Sequence, residues 1–341
     1  MRNSLWRARV LLAVLSLAAA AAALAWPRAS WTQQASMVEV PLDDGGGTAD
    51  GGTTTPPPDG GGTTPPPPTS GGGGPEAVDF DGTYIWVTRQ FNNTVTRVRA
   101  RDLAKGGSFP VGQRPVAVAF DKTNVWVANL NSNNVMKLKT TDGSVIGTFA
   151  VGTAPGGLAF DGTNIWVTNR DSNNVTKLRA KDGANLGTFA VGRRPVGVVA
   201  LGGNIWVANN HDDTVTKLSG TTGARLGTYP VGDGPFGLAT DGVNVWVTNF
   251  FSGTVMKLRA SDGVILGTFE TGKDPAGITF DGNYLWVANS GSNTAVRVRP
   301  GDGAIVATHT TGKGPFGVVF DGTSIWVANF GSDSVSTTSV Q

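Results

Sequence analysis

The sequence contains no cysteine and only two histidines among its 341 residues. Without cysteine the chain has neither a disulfide framework nor a thiolate metal site, and it has no residue that could carry a lipid anchor. Charged residues make up 15% and the formal net charge is +2. This sparse and nearly balanced charge gives no reason to expect nucleic acid or an anionic membrane surface as a partner.

Glycine is abundant instead, with 49 residues, and apolar residues make up 39% of the chain. This composition favours many short strands joined by tight turns over helices, and it supplies enough apolar residues for a core. The length suits one large domain or two ordinary ones.

The first 25 residues have the pattern of a secretory signal peptide. Arginines at positions 2, 7 and 9 precede an apolar run over 10–24, and Ala23-Leu24-Ala25 forms a small-x-small cleavage site. An uncleaved anchor is the alternative, but the run is shorter than the ~20 residues that span a bilayer. We therefore expect a secreted, periplasmic or cell-surface protein with no membrane span after cleavage.

The segment 26–74 contains a low-complexity stretch of Gly, Thr, Pro and Asp from Asp43 to Gly74. Such a stretch buries too little apolar surface to offset the entropy of ordering it, which predicts a disordered linker. Upstream of it, Met37 to Leu42 is the one strand-like fragment before residue 75.

A tryptophan recurs every 40 residues over 75–341, at positions 86, 126, 166, 206, 246, 286 and 326. Each copy reads as four short strands, which in the second copy are Val116–Phe120, Asn124–Asn129, Val135–Lys139 and Ser144–Val151. Asp-Gly pairs between strands favour tight hairpins. Seven such copies predict an all-β, seven-bladed β-propeller in which the tryptophan packs between blades.

The last copy ends after its third strand, so closure of the ring has two alternatives. Either the seventh blade has three strands, or Met37 to Leu42 returns as its outermost strand. Val38, Val40 and Leu42 alternate with Glu39 and Pro41, and proline is tolerated on an edge strand.

The repeated Trp-Val-Thr-Asn and Trp-Val-Ala-Asn cores, with Gly-x-x-Pro-x-Gly and Phe-Asp-Gly-Thr-Asn, resemble the YVTN-type propeller repeat, with Trp in place of Tyr. The repeat is also similar to that of the streptogramin B (virginiamycin B) lyases. The lyase resemblance implies a histidine base in a Pro-His-Gly context, supported by glutamates and Mg²⁺ over the central channel.

This chain departs from the lyase pattern at the positions that matter for catalysis. The Pro-x-Gly slots hold Gly156, Val196, Phe236, Ala276 and Phe316. The slot after Trp-Val-Thr/Ala, often Glu in lyase repeats, holds Arg89 in the first copy and asparagine at 129, 169, 209, 249, 289 and 329. We therefore carry over no catalytic residue and predict neither a cofactor nor a metal.

Two further candidates for site chemistry are weak. His211 and His309 come from different repeat positions, so we do not expect them to converge. His211-Asp212-Asp213 is the best single metal candidate, although a polar turn is the plainer interpretation.

The positions that change between copies concentrate in two sets of loops. The middle hairpin turns hold 90–91, 130–131, 170–171, 210–211, 250–251, 290–291 and 330–331; the inter-blade loops hold 113–114, 153–154, 193–194, 233–234, 273–274 and 313–314. Because strand direction alternates within a blade, both sets should emerge on one side of the disc, which we call the variable-loop face.

Aromatic and arginine side chains on this face are typical of binding hot spots. The candidate ligand-binding residues are Arg89, Phe91, Arg114, Arg170, Arg193, Arg194, His211, Phe250, Phe251 and Phe330. Phe236 and Phe316, each one residue past a proline, should lean toward the mouth of the channel. Loops also tolerate variation without any functional reason, which is the plainer interpretation.

The sequence thus predicts an exported, monomeric propeller that serves the cell envelope as a binding or scaffold module for a protein or glycan. One alternative is a divergent or inactive enzyme of the streptogramin-lyase or lactonase type. Another is a surface-layer-like module that packs against itself.

Overall fold

The computed structural model describes residues 33–42 and 74–340, and every regular element in these ranges is a β-strand. The predicted signal peptide and almost all of the predicted linker lie outside the described residues. Within them, no helix is long and apolar enough to cross a bilayer.

Seven four-stranded antiparallel units make up the molecule, which confirms the predicted seven-bladed propeller. Two strands precede the repeats, β1 (Gln33–Ser36) and β2 (Val38–Pro41). The strands of blades 1 to 4 are β3 (Pro75–Phe80), β4 (Tyr84–Arg89), β5 (Thr94–Arg99), β6 (Lys105–Pro110); β7 (Pro115–Phe120), β8 (Asn124–Asn129), β9 (Asn134–Lys139), β10 (Val145–Ala150); β11 (Pro155–Phe160), β12 (Asn164–Asn169), β13 (Asn174–Arg179), β14 (Asn185–Ala190); β15 (Pro195–Leu201), β16 (Asn204–Asn209), β17 (Thr214–Ser219) and β18 (Arg225–Pro230). Those of blades 5 to 7 are β19 (Pro235–Thr240), β20 (Asn244–Asn249), β21 (Thr254–Arg259), β22 (Ile265–Glu270); β23 (Pro275–Phe280), β24 (Leu285–Asn289), β25 (Thr294–Val298), β26 (Ile305–Thr310); β27 (Pro315–Phe320), β28 (Ser324–Asn329) and β29 (Ser334–Ser339).

The first strand of each blade is the inner one, and the inner strands of neighbouring blades pack against each other around the channel. The glycine of each Pro-x-Gly sequence makes this approach feasible, because a Cβ at Gly157 or Gly277 would overlap a carbonyl oxygen of the next blade. At the seam between blades 7 and 1, a Cβ at Gly317 would lie 2.7 Å from the carbonyl oxygen of Glu76. The ring therefore closes at this seam by the same contact.

Each repeated tryptophan is fully buried and packs against the next blade, as predicted. The aspartate five residues earlier holds it in place. Asp161 Oδ2 accepts the indole N–H of Trp166 at 2.7 Å, while Oδ1 accepts the backbone N–H groups of Thr163 and Asn164 at 2.9 and 2.7 Å. One carboxylate thus fixes both the hairpin turn and the tryptophan, a role beyond the turn geometry predicted for Asp-Gly.

Side chains of the same blade cover the tryptophan and in turn contact the following blade. Phe149 packs on Trp126 with ring centroids 5.3 Å apart, and the Lys137 ammonium lies 5.1 Å from the same indole ring. Lys137 Nζ also donates to the carbonyl of Ala180 in the next blade at 2.6 Å. Gly183, with φ of +76°, lies directly against the Phe149 ring, so this turn needs glycine for its backbone and for the space.

The strand β2 closes the ring as the outermost strand of blade 7, which confirms the second closure alternative and excludes a three-stranded blade. It runs antiparallel to β29, with Val40 opposite Val335. Leu42 continues the pairing by donating its N–H to Asp333 O at 3.0 Å, and its side chain is fully buried.

The strand β1 was not predicted. It pairs in parallel with β26 and adds a fifth strand to blade 6, with Ala35 opposite His309. Met37, between β1 and β2, is buried against Trp286 at the interface of blades 6 and 7. The N-terminal segment therefore bridges the last two blades.

Closure by β2 predicts that the same substitution has a large effect on stability at Leu42 and a small effect at Val38. Leu42→Asp places a carboxylate in a fully buried site and should lower the free energy of unfolding by at least about 3 kcal/mol. Val38→Asp, at a side chain that is 57% exposed, should change it by less than about 0.5 kcal/mol. Urea unfolding followed by tryptophan fluorescence measures both; equal effects would show that β2 does not close the ring in solution.

Blade 4 provides a test of the indole–carboxylate bond, because Leu201 replaces the aspartate and Trp206 Nε1 has no hydrogen-bond partner within residues 74–340. Trp166→Phe and Trp206→Phe remove the same volume. Only the first breaks a bond to a carboxylate, so it should cost roughly 1–3 kcal/mol more in unfolding free energy. Chemical denaturation of the two variants compares them; a larger loss at Trp206 would contradict this assignment.

Candidate functional site

The two sets of variable loops lie side by side, as predicted for the variable-loop face. Within each blade the middle turn donates a backbone N–H to the preceding inter-blade loop, as Leu130 does to Arg114 O and Phe330 to Gly314 O, both at 2.9 Å. The next blade is joined through a turn side chain, since Asn93 Oδ1 accepts the Arg114 N–H at 2.9 Å. Equivalent side-chain bonds from Asn133, Asn173, Asp213 and Asn293 link most neighbouring blades along this face.

The inter-blade loop requires one residue with positive φ. Glycine supplies it at 74, 234 and 314, whereas Arg114, Ala154, Arg194 and Asp274 each adopt φ of 54° in the same place. A non-glycine residue in this region costs on the order of 1 kcal/mol. Four of the seven loops thus keep a side chain where glycine would be less strained, and in two of them it is an arginine.

Six phenylalanines form a chain of ring contacts, which we call the aromatic arc: Phe251, Phe250, Phe236, Phe316, Phe330 and Phe91. Successive ring centroids are 5.3, 6.0, 5.5, 5.9 and 5.6 Å apart. Phe236 of blade 5 meets Phe316 of blade 7, which requires both rings to lean toward the centre, as predicted. Ala276, in the same slot of blade 6, is fully buried and small enough to let them meet.

Three arginines gather on the part of the mouth formed by blades 1 to 4, and we call Arg114, Arg170 and Arg194 the arginine cluster. The Arg170 side chain lies against Gly156, whose missing Cβ would come within 2.9 Å of it. Burial lowers the pKa of Arg170, and so do the neighbouring charges of Arg194 and Arg114. Arg170 Nε is buried and has no hydrogen-bond partner among the described residues.

Glu76 lies near the arginine cluster, at the position after Pro75 in blade 1, where the residue following it is alanine and not glycine. The residue is partly buried, and burial raises the pKa of its carboxyl from 4.5 to about 7, against the lowering effect of Arg114 and Arg170. Glu76 was not among the residues predicted for the site. Its position in the slot where other copies carry Val, Gly, Phe or Ala was the signal that could have identified it.

Arg89, predicted among the exposed loop residues, is instead 4% exposed. Its guanidinium pairs with the buried carboxylate of Asp333 in blade 7, and Nη1 reaches the carbonyl of Leu42 at 3.5 Å. This prediction is corrected: Arg89 fastens blade 1 to the closing strand. Phe250 is also buried, at 5% exposure, within the aromatic arc.

Arg193 and His211 lie on the outer side of blade 4, apart from the arginine cluster. Arg193 Nε donates to Asp212 Oδ1 at 2.5 Å. Both residues line an open polar cleft of about 530 Å³ together with Arg225 and Thr228 of the outermost strand β18.

His309 lies in β26 with its ring centroid 5.0 Å from that of Trp286, where other blades place Phe or Tyr. Burial lowers its pKa, with a smaller effect of Arg297. The structure therefore does not bring the two histidines together. No group of three or more His, Asp or Glu side chains in residues 33–42 and 74–340 is arranged to hold a metal ion.

The repeated asparagines after Trp-Val-Thr/Ala are fully buried between strands and do not face the channel. Asn209 Nδ2 donates to Thr216 Oγ1 at 2.8 Å, and its Oδ1 accepts the Gly192 N–H at 3.0 Å. Asn209 thus holds the preceding inter-blade loop onto its own blade, whereas the Oδ1 atoms of the other five asparagines have no hydrogen-bond partner among the described residues.

No family model matches the chain, and no curated protein matches it in sequence; the YVTN resemblance stays a prediction. Solved structures share its fold. A streptogramin B lyase is 19% identical with a TM-score of 0.68, covering 80% of this chain and 95% of its own. The virginiamycin B lyase of Staphylococcus aureus is 18% identical with a TM-score of 0.69, covering 79% and 96%. Kuenenia stuttgartiensis hydrazine synthase is 18% identical with a TM-score of 0.71, covering 82% and 99%. The likeness to streptogramin B lyases is thus confirmed in fold, and at this identity it establishes the fold alone.

The raised pKa of Glu76 predicts a pH-dependent stability. The folded state binds the proton more tightly, so this contribution is complete below pH 4.5 and is lost as pH rises through about 7. Between pH 5 and 8, the wild type should lose on the order of 2–3 kcal/mol relative to Glu76→Gln. Urea unfolding of both proteins at each pH measures the difference. Burial also raises the pKa of Asp79 and lowers that of His309, but both proteins share these groups, so their contributions cancel. Parallel pH profiles would contradict the burial of the Glu76 carboxyl.

Proposed function

We propose that this chain is an exported binding module of the cell envelope, which contacts a protein or glycan ligand through its variable-loop face. The observation that carries the proposal is the division of the mouth into an aromatic arc and an arginine cluster. These two sets come from different blades, and the hairpin turns and inter-blade loops present them on one face. Export rests on the predicted signal peptide.

The composition of the mouth supports binding. Phenylalanine and arginine side chains contribute strongly to recognition when they lie on a preorganised surface. Phe91 and Phe251, at the two ends of the arc, are each 47% exposed. The hydrogen bonds between loops hold the backbone beneath them, so little ordering is needed when a ligand binds.

Glu76 supports the alternative of a divergent enzyme. A carboxyl with a pKa of about 7 in the channel has the protonation behaviour of a general base. The shared fold with streptogramin B lyases supplies a class of substrate to test. The histidine slots of the lyase pattern hold other residues here, so Glu76 would have to act as the base.

The binding proposal is tested with purified peptidoglycan sacculi as the glycan probe and with a detergent extract of envelope proteins as the protein probe. The mouth variant is Phe236→Val/Phe316→Val/Phe330→Leu, in which each new residue occurs at the same position of another copy, as in Val196 and Leu130. We expect co-sedimentation or cross-linking to one probe by the full chain and a loss of at least roughly ten-fold in affinity in the variant.

The matched control is Val243→Thr on the opposite face, a side chain that is 71% exposed and is threonine in most other copies. It should bind like the wild type. Equal binding by the mouth variant and the control, or no binding of the wild type to either probe, would overturn the proposal. Turnover of the streptogramin B quinupristin that is lost in Glu76→Gln would favour the enzyme instead.

A further inference from the structure

The mouth of the channel has two chemically different parts that lie on one face, and each points to a different part of one ligand. We propose that it binds an aromatic acid: a flat apolar ring packs against the aromatic arc, and an attached carboxylate or phosphate binds at the arginine cluster. This inference rests on the proposed binding function and names the chemical class of the ligand or of the ligand group that enters the mouth.

The charge of the arginine cluster favours an anion. The charges of Arg194 and Arg114 both act on Arg170, and those of Glu76 and Asp171 oppose them. The net effect of burial and of these charges is a lowered pKa of the Arg170 guanidinium, so its positive charge is poorly compensated there. A bound anion would compensate it, because guanidinium groups hold anions through charge-assisted hydrogen bonds.

Arg170 is the group best prepared for that anion. Its Nε is buried, and no acceptor among the described residues takes its N–H. A buried donor of this kind costs free energy until an acceptor reaches it. Arg114 and Arg170 both lower the pKa of the Glu76 carboxyl, although burial has the larger effect.

The backbone shows that the loop does not require arginine at this place. Arg114 and Arg194 occupy the positive-φ position that glycine fills in three other copies and that Ala154 and Asp274 fill in the remaining two. The loop therefore forms with several residue types there, which allows both arginines to be replaced by glycine in the test.

The aromatic arc provides the apolar half. Its rings meet edge to face at Phe236 and Phe316 and at Phe91 and Phe330, with interplanar angles of 84° and 66°. This arrangement leaves ring faces and edges available to a further ring, which prefers the same offset or T-shaped contacts. The part of the mouth opposite the cluster is therefore suited to a planar apolar group.

The test uses two fluorescent probes that share the same ring system. Anilinonaphthalene sulfonate carries an acid and N-phenyl-1-naphthylamine does not. Arg114→Gly/Arg194→Gly takes the residue of blades with glycine in that loop, so folding is expected to be kept and the thermal midpoint unchanged or raised. We expect this variant to bind the sulfonate at least roughly ten-fold more weakly and the neutral probe within about two-fold of wild type.

Phe316→Val/Phe330→Leu should weaken both probes, because it removes the apolar half. Competition with phenyl phosphate and with phenylacetate then identifies whether phosphate or carboxylate is the preferred acid. Near-ultraviolet circular dichroism of each variant confirms native packing, so that probe binding by unfolded chains is recognised.

The inference is overturned if the wild type binds the sulfonate no more tightly than the neutral probe, or if the double arginine variant weakens both probes alike. Neither of these results affects co-sedimentation with sacculi or cross-linking to envelope proteins. Conversely, the protein could bind neither sacculi nor envelope proteins and still prefer the sulfonate probe over the neutral one. That result would reject the envelope ligand and keep the aromatic-acid site.

Discussion

The bond between a buried indole N–H and an aspartate in the preceding turn is the interaction on which each ordinary blade depends. Asp161 uses one oxygen for Trp166 and the other for the backbone of its own turn. The tryptophan thereby reaches the next blade at a fixed height, while Phe189 and Lys177 of its own blade pack against its ring. Because this unit recurs around the ring, the blades are held at the same angle and the loops at the channel mouth start from equivalent backbone positions.

The departures from the repeat follow from two needs, closing the ring and equipping its mouth. Blade 7 lacks an outer strand of its own, so β2 supplies one, and Arg89 replaces the usual asparagine to reach Asp333 and Leu42 across the seam. A buried ion pair adds little net stability, but removal of either partner leaves an uncompensated charge, so the pair makes the seam specific. The replacement of aspartate by Leu201 in blade 4 has no structural explanation.

The fold was predictable from the sequence because it depends on local, repeated signals. The 40-residue spacing of tryptophan and the Asp-Gly turns determine blade number and hairpin order. The strands of the second copy agree with the predicted ones to within one residue at each end. The alternation in Val38, Val40 and Leu42 indicated the closing strand. The strand β1 was missed because its four polar and small residues carry no alternation, and parallel pairing with β26 is set by tertiary contact.

The site was predictable only in its composition, since the direction of each loop side chain depends on neighbours distant in the chain. Arg89 and Arg114 are both loop-side arginines in the sequence, yet Arg89 is taken up by a partner 244 residues away, whereas Arg114 stays on the variable-loop face. The raised pKa of Glu76 results from its burial, which no local sequence pattern indicates.

The inter-blade loop differs between blades, and the distribution of its residues breaks the symmetry of the mouth. In an aromatic form, glycine occupies the positive-φ position and an aromatic ring packs on it, as Phe91 does on Gly74 and Phe251 on Gly234. In an arginine form, Arg114 or Arg194 occupies that position, and the two remaining loops hold Ala154 and Asp274 there. If seven identical loops surrounded the channel, every direction across the mouth would be equivalent, and a ligand with one apolar and one charged end could bind in seven orientations. Placing the aromatic form on blades 5, 7 and 1 and the arginine form beside blades 2 and 4 removes that degeneracy without altering the hydrogen bonds that hold the ring.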